Sequence, residues 1–141
     1  MAKYAYSLGM EVWITGQNAS ALATLSEECG KAPQLAADLS THAGQSALLS
    51  WIHEVKIDLF VNNAGYGVWK DVVHAEDDEL EKMIRLNVEA LLRLSRVVAK
   101  NMVAQGHGCI LNVASTAAFL PGPHRFSRAE EGGALPTGGM L

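Results

Sequence analysis

The sequence predicts an α/β protein: a doubly wound parallel sheet of about four strands with flanking helices. Two observations predict it. Short apolar, partly β-branched runs occur at Glu11–Thr15, Gln34–Ala37, Ile57–Val61 and Cys109–Val113. The segments between them carry apolar residues at helical spacing, and strands alternating with helices of this length favour parallel strands covered on both faces.

Taken in order, Ala2–Leu8 reads as the end of a helix, closed by Gly9 in a C-cap position. Glu11–Thr15 is a buried strand. Gly16–Ser20 is a turn, and Ser20 is placed to cap a helix running to Cys29. Gln34–Ala37 is a brief second strand that ends at Asp38. From Thr41 to about Val55, Leu48, Leu49, Ile52 and Val55 recur at helical spacing. Ile57–Val61 is the third strand. Glu76–Arg85 is a helix with acids in its first turn, where the dipole favours them. Val88–Met102 is a longer helix whose apolar face holds Leu91, Leu92, Leu94, Val97 and Val98. Gly106 and Gly108 stop it, and Cys109–Val113 is the fourth strand. Pattern is lost near Pro121–Pro123, so residues 1–123 read as one domain and 124–141 as an irregular, disordered tail.

Composition narrows the function classes. A chain of 141 residues buries a core without disulfide or metal staples. With 49% hydrophobic and 18% charged residues it is globular in composition. A net charge of −4 gives no basic footprint for nucleic acid or an anionic membrane. Cys29 and Cys109, far apart and in apolar neighbourhoods, read as reduced core thiols. No apolar run reaches the ~18 residues of a membrane span, and the start lacks a secretory pattern, so a cytoplasmic address is expected. His42, His53, His74, His107 and His124 lack ligand spacing, so no metal site is expected.

Three motifs carry chemistry. Asn62–Gly65 (Asn-Asn-Ala-Gly) ends the third strand, where an open α/β sheet binds ligands and small residues let a cofactor approach the backbone. The same residue types also make plain turns. Asn87 stands between two helical patterns and reads alone as a helix kink. Ser115 follows Asn112-Val-Ala at the end of the fourth strand, a position that also suits a helix cap.

Asn62–Gly65, Asn87 and Ser115, with the flank Ala117–Pro123, resemble the middle of a nicotinamide-dependent short-chain dehydrogenase/reductase (SDR). The resemblance covers about Ala2–Pro123, and the flanks of Ser115, Asn112-Val-Ala and Ala117–Pro123, closely resemble a bacterial group related to 3-oxoacyl-carrier-protein and carbonyl reductases. It implies a partial Rossmann-like sheet and an oxidoreductase that interconverts a carbonyl and a secondary alcohol with NADP(H) or NAD(H). It implies cofactor contacts from Asp38, Asn62, Asn63, Ala64 and Gly65, with Asp38 at the adenine or, alternatively, as a helix N-cap. It implies a catalytic Ser115 that orients the substrate oxygen and an Asn87 whose backbone holds a relay water. The helix at Val88–Met102 matches a family dimer interface, so self-association through it or through open sheet edges is expected.

The sequence also departs from the family. After Ser115 there is no tyrosine and no lysine. The family's Tyr-x-x-x-Lys pair would fall near Ser127 or Arg128 and near Glu131 or Gly132. The Gly-rich phosphate turn is absent, because no further glycine follows Thr15-Gly16 at the needed spacing. Gln17 stands where NADP-preferring members often place an arginine. In the family's order a missing first strand lies between the strand at Val12–Thr15 and that at Ile57–Val61, a gap of roughly 10 Å. These departures predict a truncated or frame-shifted reading frame, inactive as a reductase. The alternative is a non-catalytic remnant used for binding or assembly.

Overall fold

The structure is a computed structural model that describes residues 1–68, 70 and 72–115. The expected tail at 124–141, the Pro121–Pro123 break and the positions of the tyrosine and lysine lie outside the described residues. The chain divides into two compact units, Met1–Glu54 and the remainder from Val55.

In the first unit, α1 (Ala2–Ser7) leads to β1 (Ile14–Gly16), α2 (Ala19–Glu28), β2 (Gln34–Ala36) and α3 (His42–Trp51). The strands β1 and β2 pair in parallel, with Ile14 opposite Gln34 and Gly16 opposite Ala36. The expected strand from Glu11 is shorter than predicted, and the partner explains it. The ladder begins where Ile14 N–H donates to the Pro33 carbonyl at 3.0 Å. Extending it back to Val12 would need an N–H from Pro33, which proline lacks. Trp13 instead stacks at a tilt on Trp51, with ring centroids 4.8 Å apart. Helix α2 packs on both strands, burying Leu22 and Cys29.

Two caps in this unit differ from expectation. Asn18, not Ser20, caps α2: its side chain accepts from Ala21 N–H at 3.0 Å, and the Ser20 hydroxyl donates to Asn18 at 2.7 Å. Two residues earlier in the chain, Asn18 alone has the extended backbone a cap requires. Thr41 caps α3 by accepting from Gly44 N–H at 3.0 Å, so Asp38 is not the helix cap. Gly44 is itself required, because a Cβ there would collide with the backbone of Asp38. The helix closes at Trp51, short of Val55.

The second unit holds β3 (Leu59–Asn62), a 3₁₀ turn (Val72–His74), α4 (Asp77–Ile84), a π-helical segment (Arg85–Ala90), α5 (Leu91–Gln105) and β4 (Cys109–Asn112). Strands β3 and β4 pair in parallel from Leu59 opposite Cys109 to Asn62 opposite Asn112. Their start is set by the turn before β4, where Gly106 and Gly108 take φ of 87° and 147°. The ladder then opens with Cys109 N–H donating to the Asp58 carbonyl at 2.8 Å. Cys109, as the first strand residue, is exposed, which corrects its reading as a core thiol; Cys29 is buried as expected.

The two expected helices at Glu76–Arg85 and Val88–Met102 are one continuous rod. The π segment joins α4 to α5 without a break. Met83, Asn87, Ala90, Leu94, Val98 and Met102 form its buried stripe, and α5 packs on β3 and β4. Among the described residues β1 pairs only with β2 and β3 only with β4, so each has one edge outside any ladder.

Candidate functional site

The turn that follows β3 is the centre of the site. Asn62 is the last ladder residue of β3. Its amide nitrogen donates to the Ser95 hydroxyl of α5 and to the side-chain oxygen of Asn112 on β4, each at 2.8 Å. The two amide hydrogens thus go to two different elements, which fixes the amide plane.

At the other end of the turn, Asn87 holds Tyr66. The Tyr66 N–H donates to the Asn87 side-chain oxygen at 3.0 Å, and the Asn87 amide donates back to the Tyr66 carbonyl at 2.8 Å. Asn87 is buried, with 6% of its surface exposed. A buried amide is favourable only with its hydrogen bonds made, and both of these go to one backbone residue. It lies inside the π segment, a form of helix that often marks functional positions. The Tyr66 hydroxyl donates to the Glu79 carbonyl of α4 at 2.9 Å, so the turn is tied to the helix twice.

Between these ends, Asn63 and Ala64 are exposed and Gly65 is half-buried. Small side chains at the carboxyl end of a parallel pair leave the backbone open to a ligand. Ser115 follows three residues after β4 and is half-buried.

Asp38 belongs to the first unit, just past β2. One carboxylate oxygen accepts from Ser40 N–H at 2.9 Å, the Ser40 hydroxyl at 2.6 Å and the Gln17 amide at 2.6 Å. Its carbonyl accepts from Thr41 N–H and hydroxyl. The side chain therefore links the ends of β1 and β2 through Gln17. At the start of α2 the Asn18 side chain takes the Ala21 N–H.

Beside the turn, Glu79 pairs with Lys70 at 2.6 Å and accepts from Glu76 N–H at 3.0 Å as half of a capping box. The Lys70 hydrogen bond, then the Glu76 amide, hold its carboxyl below the ordinary glutamate value. No group of three or more His, Cys, Asp or Glu able to hold a metal occurs among the described residues.

Ser95, Tyr66 and Asn112 were not singled out by the sequence as members of this network. Ser95 left one trace: it is a polar residue inside the apolar series Leu91, Leu92, Leu94, Val97 and Val98.

The family model for short chain dehydrogenases matches residues 1–127. The chain belongs to the short chain dehydrogenase family. An NADP-dependent 3-hydroxy acid dehydrogenase of Escherichia coli K12 is 32% identical over 117 residues, 80% of this chain and 47% of that protein. An oxidoreductase of Bacillus subtilis, YvrD, is 37% identical over 89 residues, 62% of this chain and 34% of that protein. Among solved structures, a metagenomic short-chain oxidoreductase in complex with NADP superposes with a TM-score of 0.79 at 28% identity, over 88% of this chain and 58% of that one. The closed form of a serine dehydrogenase complexed with NADP+ gives a TM-score of 0.77 at 28% identity, over 87% and 51%. The chain thus spans about a third to a half of the two curated relatives. Its SDR descent and Rossmann-like α/β fold follow, and no helix among the described residues is long and apolar enough to cross a membrane.

Proposed function

We propose that the second unit presents the Asn62–Gly65 turn to a nicotinamide dinucleotide, with NADP(H) the first choice and NAD(H) the second. The observation that carries the reading is the turn itself. It is held at Asn62 by Ser95 and Asn112, and at Tyr66 by Asn87, while Asn63 and Ala64 stay exposed. A preorganised backbone loses little freedom on binding, so a turn fixed at both ends suits a ligand. Solved relatives hold NADP, which supports the preference. Gln17 supplies neither a cation for a 2′-phosphate nor an acid for a free ribose.

In this reading the bound cofactor would supply the hydride. Ser115 would donate a hydrogen bond to the substrate oxygen as negative charge grows there. Asn87 would act through its backbone. Completion of the reaction needs a proton donor matched to the alkoxide. The positions where tyrosine and lysine are expected hold Ser127 or Arg128 and Glu131 or Gly132, and arginine stays protonated. Binding without turnover is therefore the proposed state of this chain, with a carbonyl or secondary alcohol as the inherited substrate class.

The test is an amide-resonance map of labelled protein titrated with NADP+, followed by a turnover panel of aldehydes, ketones and 3-oxoacyl thioesters with NADPH. The reading expects shifts at Asn63, Ala64 and Gly65 and no oxidation of NADPH. Unmoved resonances there would end the binding claim, and NADPH-dependent turnover would end the claim of inactivity.

A second reading, assembly without catalysis, is favoured by one observation. Ile84, Val88 and Leu92, four residues apart along the helical rod, are 55%, 43% and 61% exposed. An apolar stripe of this kind is suited to self-association.

A further inference from the structure

The two residues that hold the turn's ends from the helical side, Asn87 and Ser95, belong to one rod and stand eight positions apart. We propose that Ser95 is a positioning residue for the Asn62–Tyr66 turn, brought into step with Asn87 by the π segment; its use in dinucleotide binding rests on the reading above.

The geometry of helix and turn supports the pairing. Eight residues of helix rise about 12 Å, and the four residue steps from Asn62 to Tyr66 span at most roughly 13 Å when extended. The directions also agree. Asn87, earlier in the rod, meets Tyr66 at the far end of the turn. Ser95, later in the rod, meets Asn62 at the near end. One rod running back along the turn therefore clamps both ends at matched spacing.

Angular phase is the harder requirement. On a regular α-helix, residues eight apart differ by about 80° in direction, because two turns use about 7.2 residues. Such a pair would not both address one narrow turn. A π turn holds an extra residue, and Asn87–Ala90 lie within the π segment. The wider winding there takes up much of the offset. Ser95 then reaches Asn62 while its neighbours Leu94 and Val98 stay buried, at 2% and 1% exposed.

Chemistry explains why a hydroxyl is needed. Asn62 offers two amide hydrogens, and Asn112 accepts only one of the observed pair of bonds. An alanine at 95 would leave the other hydrogen without its partner in a partly buried place, which loosens the amide and with it the start of the turn.

The test compares the wild-type chain with Ser95→Ala and Ser95→Thr, using labelled protein. Two readouts are followed without any ligand: the Asn62 side-chain amide resonances and the exchange rate of the Tyr66 N–H. Ser95→Ala is expected to shift the Asn62 amide resonances and to speed Tyr66 exchange about fivefold, the size of one ordinary hydrogen bond. The Cys109 N–H, which bonds to Asp58 at the other end of the ladder, should keep its rate. Ser95→Thr, which retains the hydroxyl, should restore both readouts. The proposal is overturned if Tyr66 exchange does not change in Ser95→Ala. A Cys109 rate that rises by the same factor, which means a general loosening of the unit, or a Ser95→Thr variant that behaves like alanine, which means that the hydroxyl is not what holds the turn, would equally overturn it. Failure of the wild-type turn to respond to NADP+ removes the dinucleotide reading alone, because neither readout depends on cofactor.

Discussion

At the scale of single residues, the candidate site depends on amides whose hydrogen bonds go to backbone, to the Ser95 hydroxyl or to one another. Asn87 is the decisive case: buried, and bonded through both its oxygen and its nitrogen to Tyr66. Its truncation removes two hydrogen bonds and strands the Tyr66 N–H and carbonyl. Asn87→Ala should therefore lower unfolding free energy by about 2 kcal/mol, measured by urea denaturation. A change within a few tenths of that of a surface substitution would mean the clasp is not made in solution. The sequence singled out Asn87 for a backbone role, whereas the structure shows its side chain bonded to Tyr66. The side-chain clasp needs knowledge of which turn the helix faces, and this is a tertiary fact that spacing does not carry.

At the scale of elements, capping and charge explain why the rod starts where it does. Asp77, Asp78 and Glu79 fill the first turn of α4, where the helix dipole favours anions. Glu79 also reaches Glu76 N–H and Lys70. Because the Lys70 and Glu76 contacts lower its carboxyl below the ordinary value, the sign of the pH effect is fixed. The stabilisation is fully present above the unfolded glutamate's titration and is lost as pH falls through the lowered, folded value. Acid titration should thus release the start of α4 below the ordinary glutamate range. Exchange at the Glu79 and Leu80 amides, which bond to the Glu76 carbonyl, would report it, and Glu79→Gln should abolish that pH dependence. Unchanged dependence in Glu79→Gln would assign the effect to another group.

Most elements were legible because their signals are local. Alternating strand and helix patterns gave four strands and the helices between them, and acids before Glu79 marked a helix start. The misses have physical causes that also lie off the local pattern. Pro33 on the neighbouring strand shortens β1 by withholding a donor, and no property of Glu11–Trp13 themselves records that. Asn18 and Ser20 are both good caps by residue type, and backbone conformation decided between them. The π segment was hidden because Val88–Met102 and Glu76–Arg85 each fit a regular helix taken alone. Asn62 and Asn87 of the second unit and, separately, Asp38 of the first stood out in the sequence. Ser95 did not, since a serine within a helix is ordinary without sight of its partner.

At the scale of the whole molecule, the chain is a member of the short chain dehydrogenase family built here as two α/β units, each with a parallel pair of strands. The exposed stripe of Ile84, Val88 and Leu92 bears on the assembly reading. If the rod self-associates, Leu92→Glu should place charge in the contact and shift the sedimentation distribution toward monomer at the same concentration. A distribution that is monomeric before the substitution contradicts assembly through this face.

The clamped Asn62–Gly65 turn is proposed to receive a nicotinamide dinucleotide. The most direct measurement is a fluorescence titration of NADPH, and in parallel NADH, with the purified chain. Saturable enhancement in the micromolar range is expected, tighter for NADPH, and weakened at least tenfold by Asn87→Ala. A folded chain that leaves nicotinamide fluorescence unchanged at all concentrations would contradict it.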